Sequence, residues 1–271
     1  MQTIQTATDE SLYIFTNLGN CFMLDVGKIP ETMRLKERGS LLTGLVAGLA
    51  DGETAVQLLC AKSDEMGKFG ELLFVTKNGQ VKRTAAGEYG IRRARFAAIN
   101  LKGDDQVVAV ETVKEDDTGE ILLVTRLGMG LRFRLYEIPT TGRATAGVRG
   151  IELSDGDELC WMMAHKDGDL LLLISDRGFG KRMMMDDIDR QKRATKGQKL
   201  LGITKTGETG TQLAALLNVT GVQQVAFTQK SGHVTTMGMF EIPVERRSAK
   251  GQLLVNVLLD DVVTEATALS V

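Results

Sequence analysis

The stretch LLFVTKNGQVKR, Leu72–Arg83, reads as a β-strand, a tight turn and a second strand that ends on a Lys-Arg pair. Asn78-Gly79 is the strongest hairpin signal in the chain, because both turn positions favour positive φ. The same hairpin returns as LLVTRLGMGLRFR, Leu122–Arg134, and as LLLISDRGFGKR, Leu171–Arg182. Any reading of the fold has to explain the recurrence and the terminal charge together.

Aligning on the turn glycine extends the series to five positions, Gly19, Gly79, Gly128, Gly178 and Gly232, spaced 60, 49, 50 and 54 residues apart. An apolar, β-forming run precedes each glycine, and Thr16, Thr76, Thr125 or Ser175 stands three residues before it in four copies. In three units the second strand leads to KIP or EIP, at Gly27–Glu31, Tyr136–Thr140 and Phe240–Val244. A basic, glycine-containing segment follows, and an alternating strand such as QVVAVETV, Gln106–Val113, closes the unit. That is about four strands in about fifty residues, the size of one propeller blade. Nothing shows helical periodicity over ten or more residues. The expected fold is all-β: one domain over 1–271, with five four-stranded blades near 11–69, 70–118, 119–167, 168–220 and 221–271. MQTIQTATD, at the start, reads as an orphan closing strand over 1–10 that covers an open edge.

Hydrophobic residues make up 43% of the 271, which is ample for a core, and 30 glycines against 3 prolines suit many short turns. The longest apolar runs are far too short to cross a bilayer, and the N-terminus lacks the basic head and apolar core of a signal peptide. Cys21, Cys60 and Cys160 are odd in number and lack CxxC spacing, which reads as reduced thiols in a cytosolic protein. With only His165 and His233 beside them, no metal site is expected and no cofactor is called for. Net charge is −2, but it is segregated. Val81–Lys102 holds six basic residues against one acid, Asp104–Glu120 seven acids against one lysine, and Arg177–Lys199 eight basic residues against three acids.

The order of elements resembles the C-terminal domain of the A subunit of bacterial type IIA topoisomerases, gyrase and topoisomerase IV. The resemblance spans essentially the whole chain. It rests on the repeated FTNLG/VTKNG strand-turn, on EIP after the second strand, and on segments such as RATAGVRGIEL, Arg143–Leu153. It implies a β-pinwheel, a propeller-like disc whose neighbouring blades exchange strands and whose basic rim binds and bends duplex DNA without reading its sequence. It also implies a bacterial, cytoplasmic, nucleoid-associated protein. Its partners would be DNA, the rest of the A subunit, and through that the ATPase B subunit. Cleavage in that family uses a tyrosine and Mg²⁺ held in the core. Tyr13, Tyr89 and Tyr136 lie inside repeat elements here, so no catalytic residue is expected in what reads as a piece of a longer polypeptide. Gyrases carry a box, QRRGGKG, in the first blade. Here the nearest match is QKRATKG in the fourth unit, which keeps Gln191, Arg193, Lys196 and Gly197. That departure favours topoisomerase IV, which bends DNA, over gyrase, which wraps it.

The candidate phosphate contacts are Arg38, Lys82, Arg83, Arg92, Arg93, Arg95, Arg132, Arg134, Arg143, Arg149, Lys181, Arg182, Lys192, Arg193, Lys196, Arg246, Arg247 and Lys250. Lys and Arg at recurring hairpin ends and loops would reach phosphates and release counterions. The alternative for the hairpin cations is a solvated edge strand that uses charge to avoid pairing. For the loop arginines Arg38, Arg143, Arg193 and Arg247 it is a structural arginine bonding loop carbonyls. The competing function is a propeller that serves as a protein-interaction platform. GMG and GFG, at Gly128–Gly130 and Gly178–Gly180, are turn glycines rather than a dinucleotide loop, since no helix follows them.

Overall fold

The computed structural model describes residues 4–31, 39–114, 119–164, 167–203, 206–258 and 260–269. The strands are β1 (Ser11–Thr16), β2 (Asn20–Asp25), β3 (Ala55–Ala61), β4 (Glu71–Thr76), β5 (Gln80–Ala85), β6 (Arg95–Ala97) and β7 (Val107–Val113). They continue as β8 (Glu120–Thr125), β9 (Met129–Arg134), β10 (Val148–Arg149), β11 (Leu159–Ala164), β12 (Leu170–Ser175) and β13 (Phe179–Met184). The last are β14 (Gln198–Lys199), β15 (Leu213–Asn218), β16 (Gln224–Gln229), β17 (Val234–Gly238), β18 (Gln252–Leu253) and β19 (Val263–Leu269). A single α-helical turn, Leu42–Leu45, and short 3-10 turns complete the described elements, so the fold is all-β. Among the described residues no helix is long and apolar enough to cross a membrane.

The strands form five antiparallel sheets. Four have four strands, ordered β3-β1-β2-β6, β10-β5-β4-β7, β11-β8-β9-β14 and β15-β12-β13-β18; the fifth has three described strands, β17-β16-β19. In each four-stranded sheet the closing strand and the hairpin come from one repeat, and the short outer strand is donated by the next. On the fifth sheet no outer strand is described on β17. Nor does the opening segment, expected as a closing strand, form one over 4–10. Glu10 folds it into a turn instead, its Oε2 accepting from Thr6 Oγ1 (2.7 Å) and Ala7 N (3.2 Å).

The chain packs as two compact units, residues 1–117 with 138–149 and residues 118–137 with 150–271. In the first, Phe15, Phe74 and Tyr89 meet edge-on or tilted at 5.5–5.8 Å between centroids, within a cluster that also holds Tyr13, Leu72 and Ile99. In the second, β12 is buried on both faces: Leu171 and Leu173 enter one cluster while Leu172 and Ile174 enter another. Sheets covered on both sides need continuous apolar runs rather than alternation, which accounts for LLLLIS in this strand. Met183 and Met185 are core residues, and Trp161 packs against the same cluster.

The hairpins also explain the recurrent hydroxyl. Thr16, Thr76, Thr125 and Ser175 each accept a hydrogen bond from the backbone N of the residue four positions on, at 3.1–3.2 Å, clamping the loop. Gly79 takes φ +79°, while Asn78 stays at negative φ. The expected two-residue turn is thus a three-residue loop, Lys77–Gly79, with only its last position left-handed, a common hairpin connection. Asp105 Oδ1 holds this loop by accepting from Asn78 N at 2.8 Å; Asp157 and Asp261 do the same for Leu127 N and Ser231 N.

Candidate nucleic-acid interface

Most of the hairpin cations are turned away from solvent. In β5, β9 and β13 the charges of the second strand point largely inward, Arg134 at the end of β9 being the half-buried exception beside Tyr136. Lys82 and Lys181, expected at the surface, are fully buried. Lys181 Nζ donates to the carbonyl oxygens of Arg246 (2.9 Å), Arg247 (2.8 Å) and Ala249 (2.8 Å). Lys82 Nζ donates to those of Ala98 (3.3 Å) and Arg143 (2.5 Å). Burial pulls both ammonium groups down to about 8. They are pegs that shape the basic loops from beneath, and they are withdrawn from the phosphate contacts.

The neighbouring arginines are likewise engaged. Arg83 is buried against Glu71 (2.7 Å) and donates to Thr140 Oγ1 (3.2 Å). Arg132 pairs with Glu120 (3.1 Å) and Asp186 (3.6 Å), and Arg182 Nε donates to Ile242 O (2.7 Å). The same residues bind the loops through their backbones: Thr141 N, Gln191 N and Glu245 N donate to the carbonyls of Arg83, Arg132 and Arg182 at 2.8–2.9 Å. These three positions tie hairpin to loop, and the expectation of phosphate contact at them is corrected.

The loops themselves are held by carboxylates from the 3-10 turn of the preceding repeat. Glu88 Oε2 accepts from Arg143 N at 2.7 Å and Glu137 Oε2 from Arg193 N at 2.9 Å. The arginine side chains then reach carbonyls, as the structural alternative anticipated. Arg143 donates to Ala97 O and lies over the Phe96 ring, Arg193 Nε donates to Glu137 O (3.0 Å), and Arg247 Nη1 donates to Lys199 O (3.2 Å). Arg95 is exposed but is drawn to Gly48 O (2.9 Å) and the Phe22 ring. Lys196 pairs loosely with Glu152 (3.7 Å), and Arg149 is exposed on β10. Arg38 and the acidic Glu115–Asp117 stretch lie outside the described residues.

What remains is a smaller set. Arg92, Arg93, Lys192, Arg246 and Lys250 are exposed, and their side chains have neither hydrogen bond nor ion pair among the described residues. Lys192, Arg246 and Lys250 sit on loops whose backbone is held by Glu137 or Lys181, so their charge is presented to solvent. Sequence reasoning missed three further surface residues beside this set, Tyr136, Arg190 and Phe240. Their signal was available in the repeat alignment, since Tyr136 and Phe240 fall at the same position, Y/F before EIP.

A family model described as DNA gyrase C-terminal domain, beta-propeller, matches three successive segments, residues 70–114, 119–166 and 169–209. The A subunit of DNA gyrase from Chlamydia muridarum (strain MoPn / Nigg) is 30% identical over 269 residues, 98% of this chain and 31% of the relative. Its counterpart from Deinococcus deserti is 32% identical over 268 residues, 96% of this chain and 32% of the relative. The crystal structure of the C-terminal domain of DNA topoisomerase IV matches with a TM-score of 0.85 at 26% identity, covering 96% of this chain and 79% of that one. In sequence and fold the chain is similar to the C-terminal domains of type IIA topoisomerase A subunits. It spans about a third of the length of the curated relatives.

In this chain the degenerate box has a definite geometry. Gln191 Oε1 accepts from Thr195 Oγ1 (2.9 Å), and Ala194 N donates to Gly150 O (2.7 Å). Ala194, standing where the gyrase box has its first glycine, takes φ +66°, the single positive φ of a described non-glycine residue. Gly197 is left-handed at +74°, and a Cβ there would strike the Gly130 carbonyl. Ala194 thus takes a conformation that favours glycine, at a cost of about 1–2 kcal/mol, while Thr195 replaces the second glycine of the pair.

Proposed function

We propose that this domain binds and bends duplex DNA, independently of sequence and without chemistry of its own, and so steers DNA segments to the catalytic core of a bacterial topoisomerase. The observation that carries this reading is the set of exposed cations without a side-chain partner among the described residues, of which Lys192, Arg246 and Lys250 sit on loops held by Glu137 and Lys181. Smoothly curving 20–30 base pairs costs on the order of 1–6 kcal/mol. Repeated phosphate contacts, each releasing counterions, offset that cost and read no bases. The partners in this reading are duplex DNA, the ATPase B subunit and the rest of the A subunit, in the bacterial cytoplasm.

Between the two subfamilies we favour a topoisomerase IV-type role, bending rather than chiral wrapping. The support is the box: Ala194-Thr195 replaces the glycine pair, in the fourth repeat instead of the first. Ligating circles around the bound domain and reading their linking number distinguishes the two, since wrapping shifts it and bending leaves it unchanged.

The decisive experiment is a salt titration of duplex affinity. The logarithm of affinity falls linearly with the logarithm of salt if several phosphates are contacted, and Lys192→Glu with Lys250→Glu weakens binding. A flat dependence, or no binding at low salt, refutes the reading and leaves the protein-interaction platform.

A further inference from the structure

Tyr136 and Phe240 occupy one position in two repeats, the middle of the 3-10 turns Leu135–Glu137 and Met239–Glu241. The corresponding residues of the other repeats are Gly27, Gly87 and Asp186, so the turn itself does not call for a ring. The two rings are 60% and 88% exposed, although the chain has only 13 aromatic residues other than histidine and buries most of its large ones. Tyr136 forms one wall of an open concavity of about 650 Å³ lined also by Arg134, Arg190, Gln191 and Lys192. The Arg134 guanidinium lies 5.6 Å from the ring centroid, with Nη1 at 3.5 Å from the phenol oxygen. Arg190 is held at the rim by Glu120 (2.8 Å). The one acidic side chain of the lining, Glu137, is turned to the backbone N–H groups of Arg193 and Arg134. Phe240 likewise precedes a loop with two unpartnered cations, Arg246 and Lys250.

A duplex edge alternates anionic phosphates with deoxyribose faces made of C–H groups. A phosphate-only surface needs cations; an exposed ring set among them fits the sugar between two phosphates. We propose that Tyr136 and Phe240 make apolar contacts to the sugar wall of the DNA minor groove, between phosphates held by Arg134, Lys192, Arg246 and Lys250. Apolar side chains pressed into that groove favour bending toward the major groove, so the rings help set the curvature that the cations stabilise. This rests on the DNA-binding reading above and adds a non-ionic contact to it.

The test uses the full chain and a mixed-sequence duplex of about 30 base pairs, with affinity from fluorescence anisotropy and bend angle from end-to-end energy transfer. Tyr136→Ala with Phe240→Ala weakens binding about tenfold, the burial of two part-exposed rings, and reduces the bend. It leaves the salt slope unchanged, because no ion is displaced, whereas Lys192→Gln lowers that slope by about one. Tyr136→Phe binds like the parent. Phe240→Ala alone keeps the readout should Tyr136→Ala disturb Arg134. Parental affinity and bend in the double variant overturn the proposal while DNA binding stands. Failure of the parent chain to bind duplex removes the DNA-binding reading itself. Equal weakening by Tyr136→Phe and Tyr136→Ala also overturns the proposal, since the hydroxyl on Arg134 would then be the active part.

Discussion

Lys181 Nζ donates to the backbone oxygen of Arg247 at 2.8 Å, so a buried cation in the hairpin dictates the course of the loop that displays exposed ones. Replacing it with Lys181→Met leaves the carbonyls of Arg246, Arg247 and Ala249 without their donor. We expect a loss of about 1–3 kcal/mol in stability, the cost of unsatisfied buried polar groups, together with weaker duplex binding. Denaturant midpoints and amide exchange over 246–251 check this; unchanged protection there would show that the peg does not shape the loop.

The same pegs give a pH signature. Lys82 and Lys181 are drawn by burial to about 8 in the folded chain but titrate at about 10.4 when unfolded. Between those values the unfolded state holds more protons, so these two groups make stability rise with pH; below about pH 8 both states are charged and their dependence vanishes. The Cys21 thiol, pushed up by burial, acts with the opposite sign in the same range. The measurement is therefore the difference between the parent and Lys82→Met/Lys181→Met. From pH 8 to 10 the parent's urea midpoint should climb relative to the variant's, and parallel curves would refute the assignment.

Glu137 acts through its carboxylate on two backbone N–H groups. Glu137→Ala should cost about 1–2 kcal/mol and reduce DNA affinity, although it removes a negative charge from a basic surface. Glu137→Gln retains an acceptor and should recover most of both. If Glu137→Ala instead binds DNA more tightly, simple charge repulsion outweighs loop positioning.

Ala194 sits in the left-handed region at φ +66°. Ala194→Gly relieves about 1–2 kcal/mol of strain and gives back about 0.5–1 in unfolded-chain freedom, so the thermal midpoint should rise slightly. Gly197→Ala should lower it, since the new Cβ meets the Gly130 carbonyl. A fall on Ala194→Gly would mean that the alanine methyl packs favourably enough to outweigh the strain.

The repeat and the strand class were legible because the turn glycine and its upstream hydroxyl mark a local geometry that each copy must satisfy, whereas the exchange of strands followed only from the resemblance. The direction of the hairpin cations was not legible. Lys82 and Arg83 look like a solvated strand end in one dimension, and nothing local says that both faces of the sheet are covered. Their burial depends on carbonyls and carboxylates some sixty positions away, such as Arg143 and Thr140. Lys192 and Lys250 are exposed on their loops, yet the backbone that displays them is held by Glu137 and Lys181 more than fifty positions away. Tyr136 and Phe240 do not stand out by composition, since it is two exposed rings at one repeat position, not the aromatic total, that sets them apart.

The short outer strand that finishes each four-stranded sheet is borrowed from the following repeat: β13 must wait for β18, and β9 for β14. On a ribosome, which releases the chain N-terminus first, no sheet can be completed when its own repeat emerges. Each stays open along one margin until the next fifty or so residues have left the exit tunnel, so maturation proceeds as a relay in which every arrival seals its predecessor. A stop codon after Val219 would accordingly damage the repeat before the cut, leaving Phe179 and Gly180 with a bare edge inside an otherwise complete sequence.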